Sequence, residues 1–340
     1  MTPIIMWLGF ALASYSVVGN DVIQTLGTFL TSNEKRVQWW VLWLYAGLIL
    51  SYVLINGYML SDIDYGRLDK FTFPEIYNWY YLLPPLVLLV ITRWGIPVST
   101  TFMILTLFSL SDIPNDLGAM AGSVFDTGTK LGGMIQKSMM GYLIAFSAAI
   151  VIYLSISRLT EKYFIEHPIT KNGSILWTIG QWFTTGFLWF QWLTQDLANI
   201  YIYLKGGMEL TVVQFSISLV ILLGLLGYIF YSRGGSVQQV VREKTNTADI
   251  RSATFVDLIY GIILYIFKDD YFGLWGGKLP MSTTWVFIGL LAGRELGIRL
   301  SLEKRITNKV GKMVVRDLGK IFFGLLVSII LVFLIKLIAT

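Results

Sequence analysis

Cysteine is absent from this 340-residue sequence, and histidine occurs once. Without cysteine the chain has no disulfide, no thiolate nucleophile, no iron–sulfur cluster and no cysteine-ligated zinc. The single histidine, His167, precedes Pro168 in a polar stretch, where we expect a solvated loop. A serine nucleophile such as Ser99 or Ser282 would therefore have no histidine base nearby, which argues against an intramembrane hydrolase and against an enzyme in general.

Charge is also scarce in this chain. Charged residues make up 14% of the sequence, whereas a soluble domain has about 25%. The excess of 26 Lys and Arg over 21 Asp and Glu is small and dispersed, so nucleic acid is not an expected partner. The sequence contains no Gly-x-x-x-x-Gly-Lys-Ser/Thr loop, and ATP hydrolysis by that route is excluded.

Apolar residues dominate instead, at 55% of the sequence with a mean hydropathy of +0.65. Charge-free runs approach or exceed the ~17 to 25 residues that cross a bilayer as a helix. These runs are 1–20, 38–61, 76–92, 138–157, 172–195 and 210–232. Shorter or charge-bearing candidates follow at 97–111, 252–267, 280–296 and 321–338. The sequence therefore predicts an all-α polytopic membrane protein with about ten transmembrane or re-entrant segments.

One hydroxyl-rich motif occurs twice, each time after a proline and before an apolar run. Its members are Ser99, Thr100 and Thr101 after Pro97, and Ser282, Thr283 and Thr284 after Pro280. Proline and hydroxyl side chains are typical of helix starts. A helix start inside a membrane directs N–H groups, hydroxyls and a positive dipole end to one point, which suits a small oxyanion. We therefore predict substrate binding at these six residues, although plain helix capping also explains a single copy.

Acidic residues also recur in two apolar segments, each accompanied by amides. The two sets are Asn20, Asp21 and Gln24, and Gln195, Asp196 and Asn199. An acid at the bilayer centre costs about 2.5 to 3.5 kcal/mol on insertion scales, so it usually lines a cavity or meets a cation. We predict that both sets bind a cation, with Asp21 and Asp196 as oxygen ligands for Na⁺. The alternative is that Asp21 lies at the interface and ends a short helix.

The acidic motifs and the hydroxyl motifs recur at similar spacings, which indicates a single internal duplication. The acids are 175 positions apart and the hydroxyl motifs 183, close to half the chain. One duplicated unit of about five segments explains these spacings, with repeats at 1–157 and 174–340 and a cytoplasmic joint at 158–173. An odd number of crossings inverts the second copy. Two inverted repeats with interrupted helices are the architecture of secondary transporters.

Loop charges give an orientation for ten crossings. Basic residues around 35–36, 158–171, 233–251 and 299–316 fall on one side, which the positive-inside rule makes cytoplasmic. The other side receives Arg67, Lys70, Lys130, Lys137, Lys205, Lys268 and Lys278. Both termini are then outside a cell (inner) membrane. Two local expectations are added. The segment 61–75 is a solvated loop, with a divalent-cation site at Asp62, Asp64 and Asp69 as the less favoured alternative, and Pro84 and Pro85 kink a helix.

Four patches resemble the inorganic phosphate transporter (PiT) family. Residues 18–24 read Val-Gly-Asn-Asp-Val-Ile-Gln and residues 193–199 read Leu-Thr-Gln-Asp-Leu-Ala-Asn, close to the family signature Gly-Ala-Asn-Asp-Val-Ala-Asn. The hydroxyl motifs match the family's Pro-Val-Ser-Thr-Thr-His, except that Phe102 and Trp285 replace its histidine. The resemblance implies symport of an inorganic oxyanion, usually phosphate with Na⁺ or H⁺, and in some bacterial members sulfate.

Together these observations predict a secondary active transporter that couples uptake of a small inorganic oxyanion to a cation gradient. Phosphate is the favoured anion, sulfate and bicarbonate are alternatives, and an anion channel is the less favoured reading. The coupling ion is Na⁺ or H⁺, and no cofactor is expected. The expected partners are the anion and the lipid bilayer, and a homodimer is compatible with the sequence. Whether 97–111 and 280–296 cross fully or are re-entrant stays open.

Overall fold

The computed structural model describes residues 2–94, 96, 98–156, 161–205, 210–233, 249–269, 273, 278–302 and 308–339. Gly95 and Pro97 of the first hydroxyl motif, part of the joint at 158–173, and the basic residues within 234–248 and 303–307 lie outside the described residues. The described chain is helical and contains no strand. This confirms the all-α prediction.

The first half of the chain contains the elements up to residue 156. They are α1 (Thr2–Val17), a π-helical turn (Val18–Val22), α2 (Ile23–Asn33), α3 (Trp39–Met59), a 3₁₀ turn (Trp79–Leu82), α4 (Leu83–Arg93), α5 (Thr100–Leu105), a 3₁₀ helix (Thr106–Asp112), α6 (Leu117–Ser123) and α7 (Lys130–Ile156). The second half follows a short helix, α8 (Glu161–Glu166). Its elements are α9 (Lys171–Asp196), α10 (Ala198–Lys205), α11 (Val212–Tyr231), α12 (Ile250–Lys268), α13 (Thr283–Leu302) and α14 (Asn308–Ala339).

Six helices in the described chain are long and apolar enough to cross a bilayer. They are Thr2–Val22, Trp39–Met59, Lys130–Ser155, Val212–Tyr231, Ile250–Lys268 and Gly311–Ala339. Two further apolar helices, Trp79–Arg93 and Thr100–Asp112, are shorter. The latter is only about 20 Å long at ~1.5 Å per residue, less than the ~30 Å of hydrocarbon. Together with the long helices α9 and α13, these elements account for the ten predicted segments of a polytopic membrane protein.

Helix packing follows the predicted duplication. Helix α1 packs on α4, α10 and α11, and its counterpart α9 packs on α12, α2 and α3. Helix α5 packs on α14, and its counterpart α13 packs on α7. Helices α3 and α11, which are counterparts of each other, form a pair. Each of these contacts therefore has an equivalent in the other half, and several join the halves. The repeat boundaries themselves stay a prediction.

A row of glycines allows α13 to lie directly against α7. A Cβ atom at Gly289 would lie 2.6 Å from the carbonyl oxygen of Tyr142, and one at Gly293 would lie 2.2 Å from that of Phe146. A Cβ atom at Gly297 would lie 2.9 Å from Cβ of Tyr153. Small residues at every fourth position let membrane helices approach closely and gain van der Waals contact. This packing fixes the second hydroxyl motif, at the start of α13, against the first half.

Two local expectations are wrong. Pro84 and Pro85 lie in the first turn of α4, where proline is tolerated because its missing N–H has no partner in the helix anyway. They begin a helix and do not kink one. The segment 61–75 is not a solvated loop throughout, because Asp64 and Arg67 are buried. Asp64 forms an ion pair with Lys205, which compensates the charge of this buried acid.

We predict that Gly293→Ala destabilises the protein, whereas Gly319→Ala does not. The new methyl group at 293 would force α7 and α13 apart, and overpacking typically costs about 1–3 kcal/mol. A Cβ atom at Gly319 in α14 would meet no atom within 4 Å, and alanine favours the helix by roughly 0.5–1 kcal/mol. Thermal unfolding of detergent-purified protein, followed by size-exclusion chromatography, measures both. Equal midpoints for Gly293→Ala and wild type would contradict the close packing.

Candidate functional site

Both predicted acids lie at interruptions of membrane helices. Asp21 belongs to the π-helical turn Val18–Val22 between α1 and α2. Asp196 is the last residue of α9, and Leu197 separates it from α10. Each acid is 1% exposed. Departures from α-helical geometry free backbone groups and redirect side chains, and they are frequent at functional sites. The prediction of interrupted helices is therefore confirmed at both acids.

Both hydroxyl motifs begin helices, as predicted. The Ser99 hydroxyl accepts a hydrogen bond from the Phe102 backbone N–H at 3.2 Å, and the Ser282 hydroxyl accepts one from the Trp285 N–H at 3.3 Å. These are N-cap bonds, and they satisfy one of the N–H groups that the first turn leaves without an intrahelical partner. The two serines thus perform the same task in the two halves.

The two motifs also bind each other through an exchange of equivalent bonds. The Thr101 hydroxyl donates to the carbonyl oxygen of Met281 at 3.2 Å. The Thr284 hydroxyl donates to the carbonyl oxygen of Val98 at 3.3 Å. Each acceptor immediately precedes the capping serine of the opposite motif. The rings of Phe102 and Trp285, which occupy equivalent positions, meet edge to face with centroids 5.7 Å apart. The motifs are therefore related by a local two-fold arrangement.

Asp21 receives hydrogen bonds from both halves of the chain. The Thr100 hydroxyl donates to Oδ2 at 2.5 Å, and Nδ2 of Asn20 donates to Oδ1 at 2.7 Å. The Thr284 hydroxyl and Nε2 of Gln24 each lie 3.4 Å from Oδ1. Hydrogen bonds to a charged group contribute about 1.5–3 kcal/mol each. The hydroxyls that sequence analysis assigns to an anion are, in this structure, donors to an acid.

Asp196 joins the same network through Asn199. Nδ2 of Asn199 donates to Oδ1 of Asp196 at 2.8 Å and to the Thr100 hydroxyl at 3.0 Å. Because Thr100 in turn donates to Asp21, two side chains connect the acids of the two halves. The Thr101 and Thr283 hydroxyls also interact with Asp196. We call this set the central network. It consists of Asn20, Asp21, Gln24, Thr100, Thr101, Asp196, Asn199, Thr283 and Thr284.

Three buried side-chain oxygens of the central network have no hydrogen-bond partner in the described structure. They are Oδ1 of Asn20, Oδ2 of Asp196 and Oδ1 of Asn199. Buried polar atoms are normally paired, so unpaired ones indicate a missing ligand. Carboxylate and amide oxygens are ligands for hard cations. This donor set fits a cation such as Na⁺.

Gln195 is the one predicted site residue that bonds elsewhere. Its Nε2 donates to the carbonyl oxygens of Gln191 at 3.1 Å and of Leu264 at 3.2 Å. These bonds attach α9 to α12 and do not involve the central network. The structure thus brings together eleven of the twelve predicted positions, with Ser99 and Ser282 as the caps of the two motif helices. Whether these positions bind substrate and cation stays a prediction.

Sequence analysis missed a third membrane-embedded acid, Asp257 in α12. It is fully buried, and its two carboxylate oxygens accept hydrogen bonds from Thr28 at 2.5 Å and Thr185 at 2.6 Å. One turn further on, the Tyr260 hydroxyl donates to the carbonyl oxygen of Thr283 at 3.1 Å. The signal was present, because Asp257 interrupts an apolar run as Asp21 does. It was overlooked because it has no counterpart in the other half.

Comparison with known proteins supports the fold. No family model matches the chain, and no curated protein matches it. A solved structure described as "The sodium-dependent phosphate transporter" is similar over 99% of this chain and 97% of its own, with 18% sequence identity and a TM-score of 0.50. At this identity the likeness shows that the two chains share a fold. It does not show membership of the PiT family.

We predict that Thr101→Val and Thr284→Val lower the thermal unfolding midpoint by similar amounts. Each variant removes one hydroxyl–carbonyl bond, worth about 0.5–1.5 kcal/mol. The Val98 carbonyl keeps its hydrogen bond from Nδ2 of Asn20 at 2.6 Å after Thr284→Val, so neither loss should exceed this range by much. Thr101→Ser and Thr284→Ser keep the hydroxyl and serve as matched controls, with smaller losses. A large loss at one position and none at the other would contradict the reciprocal exchange.

Proposed function

We propose that this protein is a secondary active transporter that couples uptake of inorganic phosphate to a Na⁺ gradient. The observation that carries the proposal is the central network, in which the acids and hydroxyl motifs of both halves converge in one buried place. Substrate and ion sites between the repeats of a two-fold arrangement are typical of secondary transporters. The structural neighbour described as a sodium-dependent phosphate transporter supports this choice of anion and cation.

Na⁺ is bound, in this proposal, by oxygen atoms at the two acids. The unpaired oxygens of Asn20, Asp196 and Asn199 are three of its ligands. Asp21 and Asp196 repel each other in their buried surroundings, and a cation between or beside them removes that repulsion. On their own, the two negative acids would repel phosphate. With Na⁺ bound beside them, its positive charge offsets the charge of the anion, and phosphate can bind.

Phosphate is bound by donors at the two helix starts. The first-turn N–H groups of α5 and α13 have no partners within their helices apart from the serine caps, and the threonine hydroxyls add further donors. A hydroxyl has a single proton, which in this structure Thr100 gives to Asp21. Once Na⁺ neutralises Asp21, that proton is free to turn to the anion, while the hydroxyl oxygen is free to ligate Na⁺. Binding of the cation thereby favours binding of phosphate.

The proposal includes no chemical step and no resident cofactor. Ser99 and Ser282 act as helix caps, which is a structural use of both hydroxyls. We further propose an inner-membrane location with both termini outside and the 158–173 joint in the cytoplasm. A homodimer is compatible with the large apolar surface of α3, α11 and α14 but is not needed for the mechanism.

The anion and the coupling ion are tested together by uptake of labelled phosphate into proteoliposomes. We expect uptake to need an inward Na⁺ gradient and to be competed by unlabelled phosphate more strongly than by sulfate or bicarbonate. If a pH gradient alone drove uptake equally well, the coupling ion would be H⁺ and not Na⁺. A current that persists without any gradient coupling would favour a channel.

Asp21→Asn and Asp196→Asn are expected to abolish Na⁺-dependent uptake and leave the protein folded in the membrane. Asparagine keeps the size of the side chain but removes the negative charge that Na⁺ needs. The matched control is Glu75→Gln, which neutralises an exposed acid and should transport at the wild-type rate. Uptake by Asp21→Asn or Asp196→Asn with unchanged Na⁺ dependence would show that the acid is not a ligand.

A further inference from the structure

Arg67 is a buried cation whose donors are only partly used. It lies in the segment between α3 and α4 and is 2% exposed. Its Nη1 donates to the carbonyl oxygen of Lys278 at 3.2 Å, whereas Nε and Nη2 have no hydrogen-bond partner in the described part of the chain. Buried guanidinium donors are normally paired. The two unpaired nitrogens therefore indicate a ligand that belongs there.

The acids of the same segment are engaged elsewhere. The Asp64 carboxylate forms an ion pair with Lys205 and accepts a hydrogen bond from the Leu68 N–H at 2.7 Å. Oδ1 of Asp62 accepts one from the Gly66 N–H at 2.7 Å. Asp62 and Asp64 thus stabilise the backbone of the segment, and Oδ2 of the third acid, Asp69, lies beside Gly66, 3.1 Å from the position of a Cβ atom there. None of the three forms a hydrogen bond with Nε or Nη2 of Arg67.

Arg67 stays charged at neutral pH in spite of its burial. Burial lowers the pKa of its guanidinium from the ordinary value to about 10, and the acids Asp269, Asp196 and Asp64 act in the opposite direction. The interaction with Asp196 also shows that Arg67 lies within electrostatic range of the central network. A charged donor is thus available next to the proposed transport site.

The unpaired edge of Arg67 has the geometry of an oxyanion receptor. Nε and Nη2 present two parallel N–H groups on one side of the planar guanidinium. This fork matches two oxygens of a phosphate or similar anion, and bidentate pairs of this kind are among the strongest hydrogen bonds in proteins. A lysine would supply a point charge without this fit.

Further cations surround the same position. The Lys278 side chain crosses Gly66, where a Cβ atom would lie 3.2 Å from Nζ, and the positive φ of 71° at Gly66 favours glycine there. Lys268, at the end of α12, is within electrostatic range of Arg67 and Lys278. Asp269 offsets part of this positive charge, since its carboxylate lies 4.0 Å from Nζ of Lys268. No acid among the described residues forms a hydrogen bond with Nε or Nη2 of Arg67, so an anion bound there would gain from all three cations.

This cluster of cations is continuous with the second hydroxyl motif. Leu279 follows Lys278, and its carbonyl oxygen accepts a hydrogen bond from Nζ of Lys137 at 2.9 Å. Ser282 then caps α13 three residues later. The loop charges predict that Arg67, Lys137, Lys268 and Lys278 all lie on the outer side. An anion arriving from that side would meet the cations before it reaches the hydroxyls.

We propose that Arg67 binds the transported oxyanion through Nε and Nη2 on its way to the central network, and that Lys268 and Lys278 attract the anion to it. This inference rests on the proposed transport function. It adds a positively charged residue to a site whose predicted members are all acidic or neutral.

The test compares Arg67→Gln with Lys70→Gln in proteoliposomes. Lys70 is an exposed residue of the same segment. Its substitution also removes one positive charge, but at a position that is not buried. For Arg67→Gln we expect the KM for phosphate to rise tenfold or more, while the Na⁺ concentration for half-maximal uptake changes less than twofold. For Lys70→Gln both values should stay within twofold of wild type. A phosphate KM within twofold of wild type for Arg67→Gln would overturn the inference.

A conservative variant separates binding from folding. Arg67→Lys keeps the charge but lacks the fork, so its phosphate KM should lie between those of wild type and Arg67→Gln. If Arg67→Gln does not purify as a folded protein, Arg67→Lys decides alone: a threefold or greater rise in KM supports the role, and a wild-type KM overturns it.

Thermal unfolding distinguishes this inference from the proposed function. Inorganic phosphate should stabilise wild type and not Arg67→Gln, whereas Na⁺ should stabilise both. If wild type does not transport phosphate, the proposed function fails. The same assay with sulfate then tests Arg67 separately, because stabilisation lost only in Arg67→Gln would still support an oxyanion site. If neither phosphate nor sulfate stabilises the wild-type protein, the inference that Arg67 binds an oxyanion is overturned.

Discussion

The burial of Asp21 and Asp196 in one network of hydroxyl and amide donors, inside the membrane-embedded core, is the constraint on which the rest of the structure depends. In the described chain neither acid forms an ion pair with a lysine or arginine. Their hydrogen-bond donors are hydroxyls and amides, which come from four helix ends, and Arg67 adds a longer-range attraction to Asp196. The fold therefore has to bring two interrupted helices and two helix starts to one place. In the proposed mechanism a bound cation stabilises this network further, and that gain in stability is what couples the cation to the anion.

The predicted duplication accounts for this geometry, because one set of motifs serves twice. Each half provides an acid, an amide and a hydroxyl motif, and the contacts of Thr101 and Thr284 with the opposite motif join them. Neither half could form the site alone, because Nδ2 of Asn199 in the second half donates to the Thr100 hydroxyl of the first half, which in turn donates to Asp21. The symmetry is incomplete, however. Asp257, Arg67 and the glycine row of α13 lack counterparts, and Arg67 is the one that belongs to the proposed route of the anion.

Sequence reasoning was most successful where a feature occurs twice. The paired acids, the paired helix starts and the helical membrane fold followed from spacing, hydropathy and capping chemistry. It could not predict which partner a hydroxyl selects, since Thr100 has one proton and both an acid and an anion are chemically suitable acceptors. It misjudged the segment 61–75, because a charged stretch is solvated unless tertiary contacts such as Asp64 with Lys205 bury it. Pro84 and Pro85 were misread because proline fits both a kink and a first turn.

The contact between α5 and α14 has a consequence for the synthesis of the protein. The two helices are separated by about two hundred residues of chain, yet α14 packs on α5 together with α4 and α10. At ~5–20 residues per second, the ribosome needs about 10 to 40 s to supply that partner. During this interval the short first motif helix is already in the membrane beside α4, but without the surface of α14 that will also cover it. Insertion factors that shield short helices, and truncations that remove α14, should therefore matter most for the fate of residues near 100.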